Sequence, residues 1–485
     1  MTTNWSDQLP KGPYALCVGA SQTLYGEENL KLVARNMGTI TDRLNKKKAA
    51  PYKVVCAGVL TDKPGIRRFV NMVNSDDNCM GVIIHAHTFS PGQMWVPLQN
   101  LAKPLLHLWT YFWDQLPLEK VDMDFMNTNQ STHGDPELNN GLKEFGIPHH
   151  TVFGSWNDAG TLGEIAQWMR VARVSRKIID SKILYFGGRM DSVVGTEMPS
   201  NTLARLFGVD VLNMPVSAFA GAMQKVAAIS VAARVRQYRK AYEWHATAES
   251  SSAVVSMAAT QEIAITELLK RYGASCWTSH FMRLDGMGQL PGLAAQRTMA
   301  AGYGFGPEGD VGVALAGLMA HYLSEGLEGA VSTLAEPYLY DGLGDPDGRG
   351  CIVAAHMAEV SPAIADTTGE RKPSLQVHKL DIGNSGIVAR LVFRGKSGTA
   401  SLASFVFRNG APRLIVADVE AVPSKEMKNL PVGHVTLRPL NGVKQFSLQW
   451  AEAAGSHHDA LAYGLDSGDW ELFAKINGIP FVKIG

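Results

Sequence analysis

The chain has 485 residues, 46% of them apolar and 19% charged, which is too long for one hydrophobic core and typical of a globular protein with two to four domains. Lysine plus arginine and aspartate plus glutamate both total 45, so there is no chain-wide basic field for nucleic acid or an anionic membrane. No stretch approaches the ~20 apolar residues of a membrane-spanning helix, and residues 1–7 lack the basic-then-apolar order of a secretion signal.

Apolar runs at residues 14–18, 53–59, 80–85 and 105–109 read as strands, with helical patterns between them at 28–45 and 64–73. Short strands alternating with helices predict a parallel α/β sheet, whose ligands sit at the carboxyl ends of the strands. The loops after the first and third strands, 19–26 and 85–91, are therefore candidate site loops. Neither GxGxxG nor GxxxxGK[ST] is present, which argues against nucleotide binding. A second α/β unit opens near Ser181 with a strand at 182–186, followed by helical patterns at 226–244 and 253–271. Beyond about residue 330 the runs at 375–382, 387–393, 400–406 and 413–419 predict a mainly β portion, either barrel or sandwich. The expected fold is thus α/β, two parallel-sheet domains (1–180 and 181–330) followed by a mainly β domain (331–485). The five cysteines, Cys17, Cys56, Cys79, Cys276 and Cys351, form no CxxC pair and read as buried thiols in a reducing cytoplasm.

Three segments offer chemistry. Residues 302–310 (GYGFGPEGD) place Glu308 in a glycine-bent loop at a helix start, where a carboxylate is also favoured simply by the helix dipole. Glu336 lies in Leu334-Ala335-Glu336-Pro337-Tyr338, with His356 further on. Ser456-His457-His458-Asp459 adds two imidazoles. Two carboxylates and two imidazoles form an oxygen–nitrogen set suited to Mn²⁺, Co²⁺ or a related cation. No local spacing links them, and each has a structural use on its own: Glu336 as a surface group, His356 as a hydrogen-bonded core histidine, His457 and His458 as a turn. Lys46-Lys47-Lys48 reads as a solvated helix end. Asp122 and Asp124 read as a helix start or strand end. Trp109, Tyr111, Phe112 and Trp113 form an aromatic cluster that suits a subunit contact better than sugar stacking.

Residues 121–135 (VDMDFMNTNQSTHGD) resemble the signature of L-arabinose isomerases. So do Ser21-Gln22-Thr23-Leu24-Tyr25-Gly26, His87-Thr88-Phe89-Ser90-Pro91 with Met94-Trp95, Gln289-Leu290-Pro291-Gly292-Leu293, residues 302–310, His356-Met357-Ala358-Glu359-Val360 and the late histidine pair. The matches keep the family's order from about residue 19 to about 464. The resemblance implies one Mn²⁺-type ion per subunit held by Glu308, Glu336, His356 and His458. It also implies sugar contacts from Gln22, Leu24, Phe89, His133, Met190 and Phe281, His133 reaching a neighbouring subunit's site. The Met190 match rests only on the preceding Gly187-Gly188-Arg189. A cytoplasmic homohexamer of two trimers, with sites at subunit boundaries, follows from the same likeness.

The implied reaction is aldose–ketose isomerisation, L-arabinose to L-ribulose, through a metal-stabilised enediol with Glu308 and Glu336 as acid and base. A cation lowers a ligand carboxylate's proton affinity, so one glutamate must loosen, or a hydride shifts instead. Competing expectations are an isomerase of another aldose, fucose-type or D-galactose, and a non-catalytic sugar-binding protein. Where the family usually has Ala-Lys, this chain has Gly92-Gln93. It has Pro136-Glu137-Leu138 for Arg-Glu-Phe, and Met282 for the acid after Phe281. These departures predict preserved chemistry with altered recognition of the far end of the sugar.

Overall fold

Five apolar runs in the N-terminal unit become parallel strands: β1 (Tyr14–Ala20), β2 (Lys53–Leu60), β3 (Cys79–Ala86), β4 (Leu105–Trp109) and β5 (His150–Phe153), in the order β2-β1-β3-β4-β5. β1 and β3 are buried at every residue, as central strands covered on both faces are. The computed structural model describes residues 9–46, 50–344, 350–380, 382–383 and 385–485, in two compact units, Met1–Arg176 and Lys177–Gly485. Residues 1–7, and Lys47 and Lys48 of the basic run, lie outside the described residues.

The loops at the carboxyl edge of this sheet are cross-tied. Ser21 Oγ meets Thr88 Oγ1 at 2.7 Å, Ser90 Oγ donates to Ser21 O at 3.1 Å, and Trp95 Nε1 donates to Ser90 Oγ at 2.9 Å. Asp122 has the helix-start role, accepting from Phe125 N at 2.8 Å to cap Met123–Thr128. Of the aromatic cluster, Phe112 stacks on Trp156 and meets Trp113 edge-on, with centroids 5.7 and 5.6 Å apart.

The second unit opens with β6 (Lys182–Phe186), β7 (Asp210–Met214), β8 (Glu243–Trp244), β9 (Cys276–Thr278) and β10 (Gly304–Gly306); four of these form a parallel sheet in the order β10-β9-β6-β7. The helical pattern expected over 226–244 ends early, at helix Ala228–Ala241. Glu243 N and His245 N bond instead to Pro373 O and Leu375 O, each at 3.1 Å, so a tertiary partner takes the backbone donors and makes β8 a strand.

The β portion comprises β11 (Val331–Asp341), β12 (Cys351–Ala355), β13 (Ser374–Lys379), β14 (Ile387–Val392), β15 (Gly398–Arg408), β16 (Ala411–Val422), β17 (His434–Pro439), β18 (Asp459–Tyr463) and β19 (Phe481–Ile484). The order β15-β18-β11-β12-β17-β16 closes on itself through β15–β16, so it is a six-stranded antiparallel barrel, with β19 added parallel to β16. Closure removes the exposed sheet edges. β13 and β14 pair with each other outside the barrel, and β13 also pairs with β8. Helix Val311–Ser324 is apolar all round and packs against β9, β10, β11, β15 and β18, filling the space between the parallel sheet and the barrel. The free cysteines are buried or half-buried. Among the described residues no single helix is long and apolar enough to cross a membrane; one pair bent by 93°, Val216–Met223 with Ala228–Ala241, passes that test only when joined.

Burial pushes the imidazoles of His87 and His107 down to about 4 and that of His85 well below its usual value. All three would titrate near ~6.5 in the unfolded chain. Between these limits the unfolded chain binds more protons than the folded one, so stability falls as pH falls. Burial raises the Asp135 and Asp459 carboxyls, which opposes this, while it lowers the imidazoles of His280, His321 and His378, which adds to it. The expected result is a Tm that drops from about pH 7 to about pH 5, with a shallower slope for His87→Gln. A variant slope equal to the parent's contradicts the argument.

Candidate functional site

The barrel register assembles residues that are remote in the chain. β11 runs between β12 and β18, pairing Glu336 with Ala355 on one side and Ala335 with Asp459 on the other. Glu336 therefore stands one step from His356, which follows β12, and one step from His458, which precedes β18.

Each histidine is oriented by a buried carboxylate. His356 Nδ1 lies 2.5 Å from Glu359 Oε2, and Glu359 also accepts from Ala358 N at 2.7 Å. Burial works against the Glu359 carboxylate, but His356 and the Ala358 amide hold it below its usual range. Burial likewise disfavours a charged His356, and Glu359, Glu336 and Glu308 outweigh it and raise that imidazole. His458 Nδ1 lies 3.2 Å from Asp310 Oδ2, while Asp310 Oδ1 accepts from Val313 N at 3.0 Å. In both rings Nδ1 is engaged and Nε2 is left for a ligand; His356 Nε2 faces Glu336 Oε2 at 3.7 Å.

Asp310, not Glu308, is thus the helix cap. Glu308 sits two residues earlier in a left-handed conformation (φ 57°, ψ 21°), which costs a non-glycine residue ~1–3 kcal/mol. The turn is held by Met190 N donating to Glu308 O at 3.0 Å and Gly309 N donating to Ser279 O at 3.2 Å. Position 309 (φ 74°) must be glycine, since a Cβ there would lie 2.3 Å from Gly188 O. Burial raises the Glu308 carboxyl, with His458 and His356 working the other way.

Two groups of side chains have ligand atoms within 4.8 Å of one another: Glu336, His356 and His458, and Glu308, His457 and His458. His458 belongs to both. The four residues expected from the sequence therefore meet around His458, and His457 stands beside them, its ring centroid 4.2 Å from that of His458. Carboxylate oxygens with neutral imidazole nitrogens suit Mn²⁺ or Co²⁺. A cavity lined by Glu308, His356, Glu359, Phe281, Leu290 and Tyr338, among others, adjoins the set. It offers about 40 Å³ to water centres, where one water needs ~10–15 Å³.

The expected sugar contacts divide between the units. In the second unit, Phe281 lines the cavity and Met190 is tied by its backbone to Glu308. In the N-terminal unit, Gln22 and Leu24 lie in the loop after β1, Leu24 80% exposed. Phe89 and His133 stack there, with centroids 4.5 Å apart and planes at 20°. Sequence reading quoted Glu359, Asp310 and Tyr338 inside motifs without assigning them a role; Tyr338 lines the cavity beside Glu308 and His356. The spacing His356-x-x-Glu359 was a usable signal; nothing in the sequence links Asp310 to His458.

Family models describing the N-terminal, central and C-terminal domains of L-arabinose isomerase match residues 13–179, 182–326 and 332–480. The chain is 38% identical over 469 residues to an L-arabinose isomerase of Clostridium beijerinckii, covering 96% of this chain and 93% of that one. It is 36% identical to one of Bacteroides thetaiotaomicron (96% and 92% covered) and 37% identical to one of Thermotoga neapolitana (92% and 88%). On this likeness, which spans almost its whole length, the chain belongs to the L-arabinose isomerase family.

Proposed function

We propose that this chain is a cytoplasmic aldose–ketose isomerase that interconverts L-arabinose and L-ribulose with one divalent cation per subunit, Mn²⁺ or a related ion such as Co²⁺. The observation that carries the reading is the pair of carboxylate–imidazole groups that share His458, in a chain of this family. Glu308, Glu336, His356 and His458 would hold the cation. When bound, it supplies Lewis-acid stabilisation of the charge that develops on the sugar's O1 and O2.

The chain's own part is to move a proton and keep water out. A carboxylate removes the proton from the carbon beside the carbonyl and returns it to the neighbouring carbon, while a proton leaves the hydroxyl on C2 and one is gained by the oxygen on C1, passing through a cis-enediol. Glu308 suits this duty once it has loosened from the cation, which otherwise lowers its proton affinity; burial then raises that affinity above an ordinary carboxylate's. Beside Glu336, burial first and then the glutamate's charge raise the Tyr338 hydroxyl's pKa, so it stays protonated. Phe281, Leu290 and Leu380 present an apolar wall to the same cavity, which disfavours water beside the reacting carbons. Gln22, Leu24, Phe89 and His133 are read as sugar contacts supplied to a neighbouring subunit of a homohexamer, with Met190 and Phe281 contacting the sugar from the metal-holding unit.

The departures at Gly92, Gln93, Pro136, Leu138 and Met282 support a shifted preference among aldoses. Gly92 N is bonded to Glu137 Oε1 at 2.9 Å, so the changes at 92–93 and 136–138 bear on one packed corner of the N-terminal unit, while Met282 lies in the second unit. D-Galactose is expected to be used relatively better, against L-arabinose, than by typical family members. Turnover efficiencies showing the usual strong preference for L-arabinose refute this point alone.

Glu308→Gln and Glu336→Gln are each expected to lower kcat on the order of 10²–10⁴-fold with the fold retained. Near-normal turnover at saturating Mn²⁺ refutes the role of that glutamate. Glu359→Gln should weaken Mn²⁺ binding by about 10–100-fold, read by metal titration, because His356 loses the carboxylate that orients it. For the shared site, mixing the impaired His133→Ala with inactive Glu308→Gln should give more activity than the two variants assayed apart, through hybrid oligomers. No recovery after demonstrated subunit exchange argues against it.

A further inference from the structure

Asp135 is wholly buried beneath the first turns of helix Ser131–Glu144. Its Oδ1 accepts from Ala86 N, at the end of β3, at 3.1 Å and lies 2.9 Å from His107 Nε2 on β4, so one hydrogen lies between Asp135 and His107. His85 Nδ1 is 3.8 Å away and bonds to Leu108 O at 3.1 Å. The neighbouring strand residues Ile83, Ile84, Leu106 and Leu108 are apolar and fully buried. A polar cluster there costs free energy that a leucine would not, and His85 Nε2 and His107 Nδ1 have no partner among the described residues.

The cluster's effect is felt on the other side of the helix. Residues 133 and 135 are separated by about 200° around a helix axis, so with Asp135 facing the sheet His133 faces outward. Gly134, between them, is packed so closely on the loop after β3 that a Cβ would lie 2.3 Å from Thr88 O. His133 is exposed and stacks on Phe89, the residue after Thr88. Its ring makes no hydrogen bond among the described residues, so its orientation depends on where the turn holds its Cα.

We propose that Asp135 is a positioning residue for the sugar-contacting edge of the N-terminal unit: by tying the helix turn to β3 and β4 it sets the His133 imidazole against Phe89. The inference rests on the reading of His133 as a sugar contact. Gly134 and Asp135 fix the turn from two directions, and the exposed ring is presented without a bond of its own.

The test uses the Mn²⁺-loaded enzyme with L-arabinose and the variants Asp135→Leu, Asp135→Asn, His133→Ala and the Leu/Ala double variant. Asp135→Leu should lower kcat/KM by about 10–100-fold, mainly through KM, because a misplaced contact weakens binding before it alters the chemistry. Asp135→Asn should recover most of that loss. Its amide oxygen, placed where Oδ1 is, still accepts from Ala86 N and from the Nε2–H of His107. The double variant should be no worse than His133→Ala alone. Losses that multiply in the double variant, or an Asn variant as impaired as the Leu variant, overturn the proposal. Normal kcat/KM for Asp135→Leu with an impaired His133→Ala overturns the positioning role and leaves the sugar contact standing. Normal kcat/KM for His133→Ala removes the sugar contact and the proposal with it. If Asp135→Leu does not fold, His107→Phe, which keeps the Ala86–Asp135 bond, is read by the same outcomes.

Discussion

The candidate metal-binding set depends on a hydrogen-bond register. β11 is held between β12 and β18, and the pairings Glu336 with Ala355 and Ala335 with Asp459 bring Glu336, His356 and His458 to one end of the barrel. A slip of one residue in either pairing would turn a whole strand's side chains to the opposite face. Barrel closure through β15 and β16 resists such a slip, because every strand of the ring is paired on both sides.

The remaining carboxylate enters from the parallel sheet. Helix Val311–Ser324 is apolar on all sides because it lies between that sheet and the barrel. Its cap, Asp310, serves two masters: one oxygen satisfies Val313 N, and the other meets His458 Nδ1. The backbone geometry that starts the helix is thereby coupled to the orientation of a barrel histidine. Glu308, in the strained turn just before it, is carried to the same place. Strain of this kind persists only where surrounding contacts over-determine it, here the bonds from Met190 N and Gly309 N.

The N-terminal unit uses a different device. Its loops gather at the carboxyl edge of a parallel sheet, where such sheets bind ligands. They are fixed by short hydroxyl bonds among Ser21, Thr88 and Ser90 and by the close approach of Gly134 to Thr88. Beneath them His85, His107 and Asp135 form a buried polar cluster beside the apolar residues Ile83, Ile84, Leu106 and Leu108.

Much of this architecture was legible in the residues. Apolar runs marked β1 to β4 and β6 to within a few positions, because strand and helix patterns depend on local periodicity. The candidate ligands were legible only as family-like motifs, since Glu308, Glu336, His356 and His458 share no local spacing. Tertiary structure decided the rest. The choice of a closed barrel over a sandwich lies in the pairing of β15 with β16, a partner choice that no single strand encodes. The conversion of Glu243–Trp244 from expected helix to strand came from backbone acceptors more than a hundred residues away. The roles of Glu359 and Asp310 as orienting carboxylates, and the meeting of both ligand groups at His458, depend on distances across strands and between sheets. The sequence by itself determined which segments would be strands and helices and which side chains were available for chemistry. Only the fold decided which of them face one another, because hydrogen-bond register and packing between layers are properties of partners remote in the chain.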